Sequence, residues 1–337
     1  MEKDKISMEN VEITVCLCAY NGSAYLSETL ESLRFQRRKD FSLLIIDDCS
    51  TDDTLSIVEQ YRNAGWSCFE IVSMPENKGT AYCRNFALHH CQTPLMMFFD
   101  SDDIAKPELV ETLYDKMLSD DRLIAVSCHC RYMDDNGNKL PGGLFLGPET
   151  EEEFISKASA GKMIFMLPPT LFKREYAIKA GGYRQAEWFP KGKIRLEDLS
   201  EDVDLWGRMS DFYAEGKLML TVPTPLFFYR KRESSLSTGF AKSRAMGLKM
   251  MYIKANQLRR RAQQKELTFS EFTDSLGLWK KFNFERKNTG TYFYRCACFS
   301  YVRRQLLRCA FFLGLGVICS PLYPLEKYRA NFKKSKG

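Results

Sequence analysis

The sequence predicts an α/β protein on a doubly wound, mostly parallel sheet flanked by helices, followed by a helical, basic C-terminal extension. Three observations predict it: apolar, β-branched runs recur along the N-terminal third, helical patterns separate them, and the chain turns helical and basic from about residue 241. "ITVCLCAY" (13–20) reads as a buried strand, and "AYLSETLESLRFQ" then sets Leu26, Leu30 and Leu33 on one helix face. "SLLIIDD" (42–48) is the second strand. "TDDTLSIVEQYRNAG" is the second helix, with Thr51 or Asp52 suited to the N-cap, Leu55, Val58 and Tyr61 turned inward, and Gly65 as a stop. "FEIVSM" (69–74), "GTAYCRNFALHHC" and "PLMMFFD" continue as strand, helix and strand, and "KPELVETLYDKMLS" opens near Pro107 and aligns Leu109, Leu113 and Met117. Strands and helices alternating at this spacing make parallel pairs with right-handed crossovers.

Beyond residue 128 the pattern loosens. "MDDNGNKLPGG" (133–143) reads as a turn-rich loop, "TEEEFISKA" as a short helix, and "PPTLFKREYAIKAGGY" as a strand-like piece and a helix stopped by Gly181 and Gly182. No repeat or Gly/Ser linker interrupts the chain, so residues 1–240 read as one body and 241–337 as its extension.

The composition is that of a globular protein, 45% hydrophobic and 27% charged over 337 residues. The net charge of +6 is concentrated in the tail: from Arg303 onward eight basic residues face one acid, Glu326, which leaves 41 basic and 42 acidic residues in the rest. A near-neutral body without a recognition module argues against nucleic-acid binding. The twelve cysteines lie largely within or beside apolar runs and form no Cys-x-x-Cys, so reduced thiols are expected, and the three histidines lack zinc-ligand spacing. The N-terminus carries charge and then a strand, without signal-peptide character, and implies a cytoplasmic start.

In doubly wound sheets ligands bind beyond the carboxyl ends of the strands. Two strands here end in acid, "LLIIDD" at Asp47 and Asp48 and "LMMFFDSDD" at Asp100, Asp102 and Asp103, while Tyr20 and Asn21 close the first strand at the same rim. The second cluster can be a solvated loop with Ser101 or Asp103 capping the next helix. It can equally hold a hard divalent cation, Mn²⁺ or Mg²⁺, which takes oxygen ligands and is usually completed by substrate phosphates. Its place at the rim beside a second acidic pair favours the cation.

"VCLCAYNGSAYLSETLESL", "LLIIDDCSTDDT", "ENKGTAYCRN", "FFDSDDIAKPELVE" and "EDVDLWGRM", in that order, resemble the successive motifs of family 2 glycosyltransferases, which have the GT-A fold. The likeness covers roughly residues 11–240 and implies a nucleotide-sugar half (about 11–128) and an acceptor half (about 129–240). It implies that Tyr20 packs on the nucleobase and Asp48 hydrogen-bonds a uracil imide. Lys78 and Arg84 would contact nucleotide or phosphate, Asp100 the ribose side, and Asp102 and Asp103 the metal. Three of these have a structural alternative: core packing for Tyr20, a turn cap for Asp48, a helix-face ion pair for Arg84. In "LSEDVDLWGRM" the resemblance makes Asp202 the general base, with Glu201 and Trp206 toward the acceptor; alternatively the acids begin a helix and Trp206 is core. Glu197 and Asp198 form a rival pair. The chain departs from the family at "FFYRKRESSLST", where many members carry Tyr-Arg-x-His and this one has Arg232, a fixed cation suited to diphosphate. Arg230 and Arg232 are therefore phosphate candidates, with Ser235 and Ser237 nearby.

The resemblance implies an inverting transfer of a sugar from a nucleotide-diphospho-sugar, UDP-linked, to a hydroxyl of a saccharide or lipid-linked acceptor. The alternatives are a catalytically silent scaffold of the same fold and a sugar nucleotidyltransferase, although "AYNGSAYL" lacks the Gly-rich basic loop the latter needs. "CAFFLGLGVICSPLYPL" (309–325) is uncharged but cut by Pro321 and Pro324, too short to span a bilayer of about 30 Å. Flanked by basic residues, the segment 303–337 suits either an anionic membrane face, on the cytoplasmic side, or docking on the catalytic body.

Overall fold

The computed structural model describes residues 11–63, 66, 68–232, 240–302 and 304–323. Gly65, Ser235, Ser237, Arg303 and the basic residues from Lys327 to Lys336 lie outside the described residues.

The first half alternates β1 (Ile13–Ala19), α1 (Ser23–Arg34), β2 (Ser42–Asp47), α2 (Thr54–Asn63), β3 (Phe69–Ser73), α3 (Thr80–His90), β4 (Leu95–Phe98), β5 (Ile104–Ala105) and α4 (Leu109–Leu118). The second half contains β6 (Leu123–Met133), β7 (Lys139–Leu144), α5 (Glu151–Ser159), β8 (Leu171–Lys173), α6 (Arg174–Lys179), α7 (Glu201–Met209) and β9 (Leu218–Arg230). Four helices follow: α8 (Phe240–Arg261), α9 (Phe269–Ser275), α10 (Leu278–Val302) and α11 (Leu306–Cys319).

All strands join one sheet in the order β3-β2-β1-β4-β8-β6-β9-β5, with β7 on β6. β3, β2, β1 and β4 are parallel, and β1, β2 and β4 are buried almost throughout, as strands covered by helices on both faces must be. β8 enters antiparallel beside β4, so the second half makes the sheet mixed. The strand order reverses between β1 and β4, which opens a crevice at their carboxyl ends. The short β5, just after the Asp100–Asp103 turn, pairs antiparallel with the end of β9 through Ile104 and Phe228 and so ties the two segments together.

Two sequence expectations change. On α2 the buried positions are Thr54 and Val58, while Leu55 is exposed. Thr54 turns inward because its hydroxyl accepts Gly22 N (2.8 Å), stitching α2 to the loop after β1. Residues 133–143 are a hairpin rather than a free loop: Tyr132 pairs with Leu140 and Met133 with Lys139, and Pro141 is tolerated because β7 is an exposed edge.

Beyond the sheet, Tyr252 and Ile253 of α8 and Phe269 and Phe272 of α9 build a second apolar cluster with Phe189. α10 and α11 form an antiparallel hairpin. A Cβ on Gly316 would stand 3.1 Å from the Tyr294 ring, and one on Gly290 would stand 2.5 Å from Ser320, so glycine sets the closeness of these helices.

Candidate active site

The crevice is bordered first by the ends of β1 and β2. Tyr20 is 51% exposed, its ring available beyond the strand. Asn21 follows in a left-handed conformation (φ 49°), donating its amide to Ser50 Oγ (3.0 Å) and accepting Thr51 N on Oδ1 (2.8 Å). Cys49, after Asp48, is also left-handed (φ 63°). Such residues cost of order 1–2 kcal/mol each and persist where surrounding bonds fix them. Asp48 is buried, and its two carboxylate oxygens accept Lys78 N (2.7 Å) and Gly79 N (2.8 Å). The structure therefore gives Asp48 the task of anchoring the loop before α3. Lys78 directs its ammonium to Glu76 and over the Tyr82 ring.

Gly79 closes the next side. It has φ +91°, and a Cβ there would stand 2.3 Å from Asp198 Oδ2. Asp198 comes that close because its Oδ1 accepts Ala81 N (2.8 Å), capping α3 from another part of the chain where the helix has no cap of its own. This bond occupies the rival acid of the sequence reading. Two residues on, Ser200 is left-handed (φ 52°) and starts α7. Gly79→Ala adds both a clash and an unfavourable φ, and is expected to destabilise the fold by at least about 2 kcal/mol, read as a lowered unfolding midpoint in denaturant.

Arg84, buried on α3, joins the two acidic segments. Nη2 donates to Asp100 Oδ1 (2.9 Å) and Nη1 to Glu201 Oε1 (2.8 Å), with the guanidinium 5.4 Å from the Phe98 ring centroid. Sequence reasoning assigned Arg84 to nucleotide or phosphate; the structure makes it the clamp between the β4 turn and the start of α7. Burial pushes the Glu201 carboxyl up to about 7, with Arg84 opposing and Asp202 adding to the rise. Asp202 is half-buried, and burial raises its carboxyl above the ordinary value, opposed by Arg84. Its Oδ1 accepts Val203 N (2.7 Å), which leaves the other oxygen without a protein partner among the described residues. Behind this face Asp204 bonds Arg208 (3.0 Å) and pairs with Arg184 (3.4 Å), holding α7 from the rear. Trp206 is core, 5.6 Å edge-on to Phe172, and does not floor an acceptor pocket.

The acids of the β4 turn separate by role. Asp103 is 1% exposed and its Oδ1 accepts Arg230 N (2.9 Å); burial, with Asp100 and Asp102 alongside, pushes its carboxyl well up. It pins β9 to the turn, so the structure gives Asp103, assigned to the metal by the resemblance, a buried structural tie. Arg230, 2% exposed, spends its guanidinium on Asp102 O (2.8 Å), Asp135 O (3.0 Å) and Glu28 (2.8 Å), and is a brace rather than a phosphate contact. Arg232 is at the crevice: Nη2 lies 2.6 Å from Asp102 Oδ2. Burial and the charge of Asp100 push Asp102 up to about 6 even so, with Arg232 working against the rise.

Five carboxyls (Asp100, Asp102, Asp103, Glu201 and Asp202) thus meet three guanidiniums (Arg84, Arg230 and Arg232), and the corner is short of positive charge. Asp100 Oδ2 and Asp102 Oδ1 have no protein partner among the described residues. No cluster of three His, Cys, Asp or Glu ligands occurs among those residues. This donor set fits a hard cation held by two carboxylates and completed by phosphate oxygens, not a closed structural site.

Sequence reasoning missed Lys249. On α8 it is 1% exposed, and Nζ donates to Leu196 O (2.6 Å) and Glu197 O (3.0 Å), holding the strand of chain that leads to Ser200. Burial lowers its ammonium, while Asp204, Glu201, Asp198 and Asp202 oppose the fall. Its sequence context, "LKMMYIK", gave only a helical pattern.

Comparison with known proteins follows the same outline. Residues 14–178 match the family model described as Glycosyl transferase family 2. Poly(ribitol-phosphate) beta-N-acetylglucosaminyltransferase TarS of Staphylococcus aureus is 27% identical over 229 residues, 66% of this chain and 36% of that protein. Putative teichuronic acid biosynthesis glycosyltransferase TuaG of Bacillus subtilis is 34% identical over 106 residues, 32% of this chain and 42% of the relative. The chain thus spans about two-fifths or less of the length of these curated relatives. Among solved structures, residues 1–349 of S. aureus TarS in complex with UDP-GlcNAc superpose with a TM-score of 0.54 at 18% identity, covering 94% of this chain and 92% of that one. The mannosyltransferase PcManGT from Pyrobaculum calidifontis, in complex with GDP-Man and Mn²⁺, gives 0.55 at 18% identity, covering 95% and 80%. At these identities the likeness shows the fold, the GT-A arrangement expected from the motifs.

Proposed function

The chain belongs to glycosyl transferase family 2 through residues 14–178, and from that premise we propose that it transfers a sugar, with inversion, from a UDP-linked donor to a hydroxyl of a saccharide or lipid-linked acceptor. The observation that supports the reading is the Arg84 clamp, which fixes the start of α7 against the β4 turn; in this reading Asp202, at that start, faces the diphosphate across the crevice. Tyr20 offers an exposed face to the nucleobase, with Asp48 and Lys78 shaping the loop beside it. Asp202 accepts the acceptor hydroxyl's proton as that oxygen bonds the anomeric carbon, and the carbon–oxygen bond to the diphosphate breaks with its electron pair leaving on phosphate oxygen. Arg232 stands where that charge collects and supplies a fixed cation. A divalent cation, Mn²⁺ or Mg²⁺, would be held by Asp100 and Asp102 and would neutralise diphosphate charge. The relatives named for poly(ribitol phosphate) and teichuronic acid support an acceptor that is a growing cell-surface polymer. In the same reading the extension from residue 303 brings the chain to the cytoplasmic face of a membrane.

Thermal shifts with UDP-, GDP- and dTDP-sugars and Mn²⁺ test the donor, since a ligand of the native state raises the midpoint. UDP-sugars are expected to give the largest rise, and a preference for GDP overturns the UDP assignment. Arg232→Ala is expected to weaken UDP binding about tenfold, and to lower the ligand-free midpoint less than loss of the more deeply buried Arg84 does. Donor hydrolysis that stays silent with acceptor supplied, in a folded chain, overturns the enzyme and leaves the scaffold.

A further inference from the structure

α11 turns its polar economy inside out. Cys309, Phe312, Gly316, Cys319 and Ser320 face α10, while a continuous half of the helix surface carries apolar side chains into the open. Leu306 (66% exposed), Leu307 (89%), Phe311, Val317 and Ile318 (77%) belong to that half, which contains no charged residue. At 3.6 residues per turn they share one arc of about 180°, not scattered positions. Monomeric proteins rarely leave such a contiguous patch uncovered.

Charge decides what covers it. Arg304 and Arg308 stand exposed at the start of α11, and Lys280 and Lys281 stand exposed at the start of α10. The hairpin is antiparallel, with Arg286 donating to Cys319 O (2.7 Å), so the start of α10 lies toward the far end of α11, beside exposed Trp279 and Phe282. Basic residues therefore flank both ends of the apolar arc. A second copy laid on this face would bring like charges together, whereas anionic headgroups neutralise them. The helix cannot cross: its 14 residues extend about 21 Å, against about 30 Å of hydrocarbon, and no described helix is long and apolar enough to span.

We propose that α11 lies in the plane of an anionic lipid surface, its outward arc among the acyl chains, Trp279 and Phe282 at the headgroup level, and the flanking basic residues on phosphate. The proposal rests on the membrane placement given above and names the face that makes the contact. It leaves the hairpin's inner face, built on Gly290, Tyr294 and Gly316, as the packed side.

The test is flotation of the full chain with vesicles of phosphatidylcholine alone and with about 30% phosphatidylglycerol, at low and high salt, alongside light scattering of the lipid-free chain. The wild type is expected to float with anionic vesicles at least about tenfold more than with neutral ones, and less at high salt. Phe311→Asp with Ile318→Asp, both at exposed positions, is expected to abolish flotation and keep the unfolding midpoint and donor hydrolysis. Asp202→Asn is expected to float like the wild type, which separates failure of the surface from failure of the catalytic reading. Flotation unchanged in the double variant, or absent from the folded wild type, overturns the proposal. So does a stable oligomer that the double variant dissolves, which would assign the face to a second copy.

Discussion

Asp202→Asn lowers turnover of donor and acceptor by about 10³-fold while leaving donor KM within about twofold. The magnitude is that of losing a positioned base, and the pattern follows from the proposed role of Asp202, which serves the acceptor hydroxyl rather than the donor. Its carboxyl sits above the ordinary value of 3.8, chiefly through burial, with Asp100 adding to the rise and Arg84 working against it. A base acts only when deprotonated, so in the wild type the rate falls on the acid side, through a raised pKa rather than near 4. Steady-state kinetics across pH 5 to 9 checks both statements. Full activity in Asp202→Asn would remove it from the reaction, and an acid limb at the free aspartate value would remove the role of its surroundings.

Arg84→Met is expected to cost about 3–5 kcal/mol of stability, because it leaves Asp100 and Glu201 facing a buried space without their cation. The penalty depends on pH in a fixed direction. Folded Glu201 titrates at about 7 against 4.5 in the unfolded chain, so the folded state holds this proton more readily and its contribution to stability is complete below 4.5 and is lost as pH rises through 7. Arg84 offsets that loss only when Glu201 is charged. Thermal unfolding should therefore show a large difference between wild type and Arg84→Met at pH 8 and a smaller one at pH 5. Adding Glu201→Gln should recover part of the deficit, a coupling expected between residues in contact. An equal deficit at both pH values would mean that the clamp acts by packing alone.

The sheet and its acidic rim were legible because parallel strands buried on both faces leave a strong one-dimensional signal: unbroken apolar runs that end abruptly in Asp47 and Asp100. Phase within a helix was less legible. Leu55 looked inward by spacing, but the Thr54 hydroxyl accepts Gly22 N and takes the inward place, while Val58 keeps the position that spacing gave it. The roles of the arginines were not legible, because a local motif shows where a cation stands and not what meets it. Glu201 lies 117 residues from Arg84, and Asp103 lies 127 residues from Arg230. Both arginines face carboxylates from distant segments, and both are thereby taken out of the ligand space to which motif position assigned them. Lys249 was invisible for the same reason: a lysine in a basic, helical stretch reads as solvated until the fold buries it.

That lysine changes what counts as a self-sufficient portion of the molecule. It comes from beyond the sheet, yet its ammonium fastens the backbone of Leu196 and Glu197, a few residues ahead of the proposed base. Excising everything after about residue 240 would remove more than an appendage. It would unmoor the stretch that aims Asp202, so an intact donor pocket could outlive the loss of turnover.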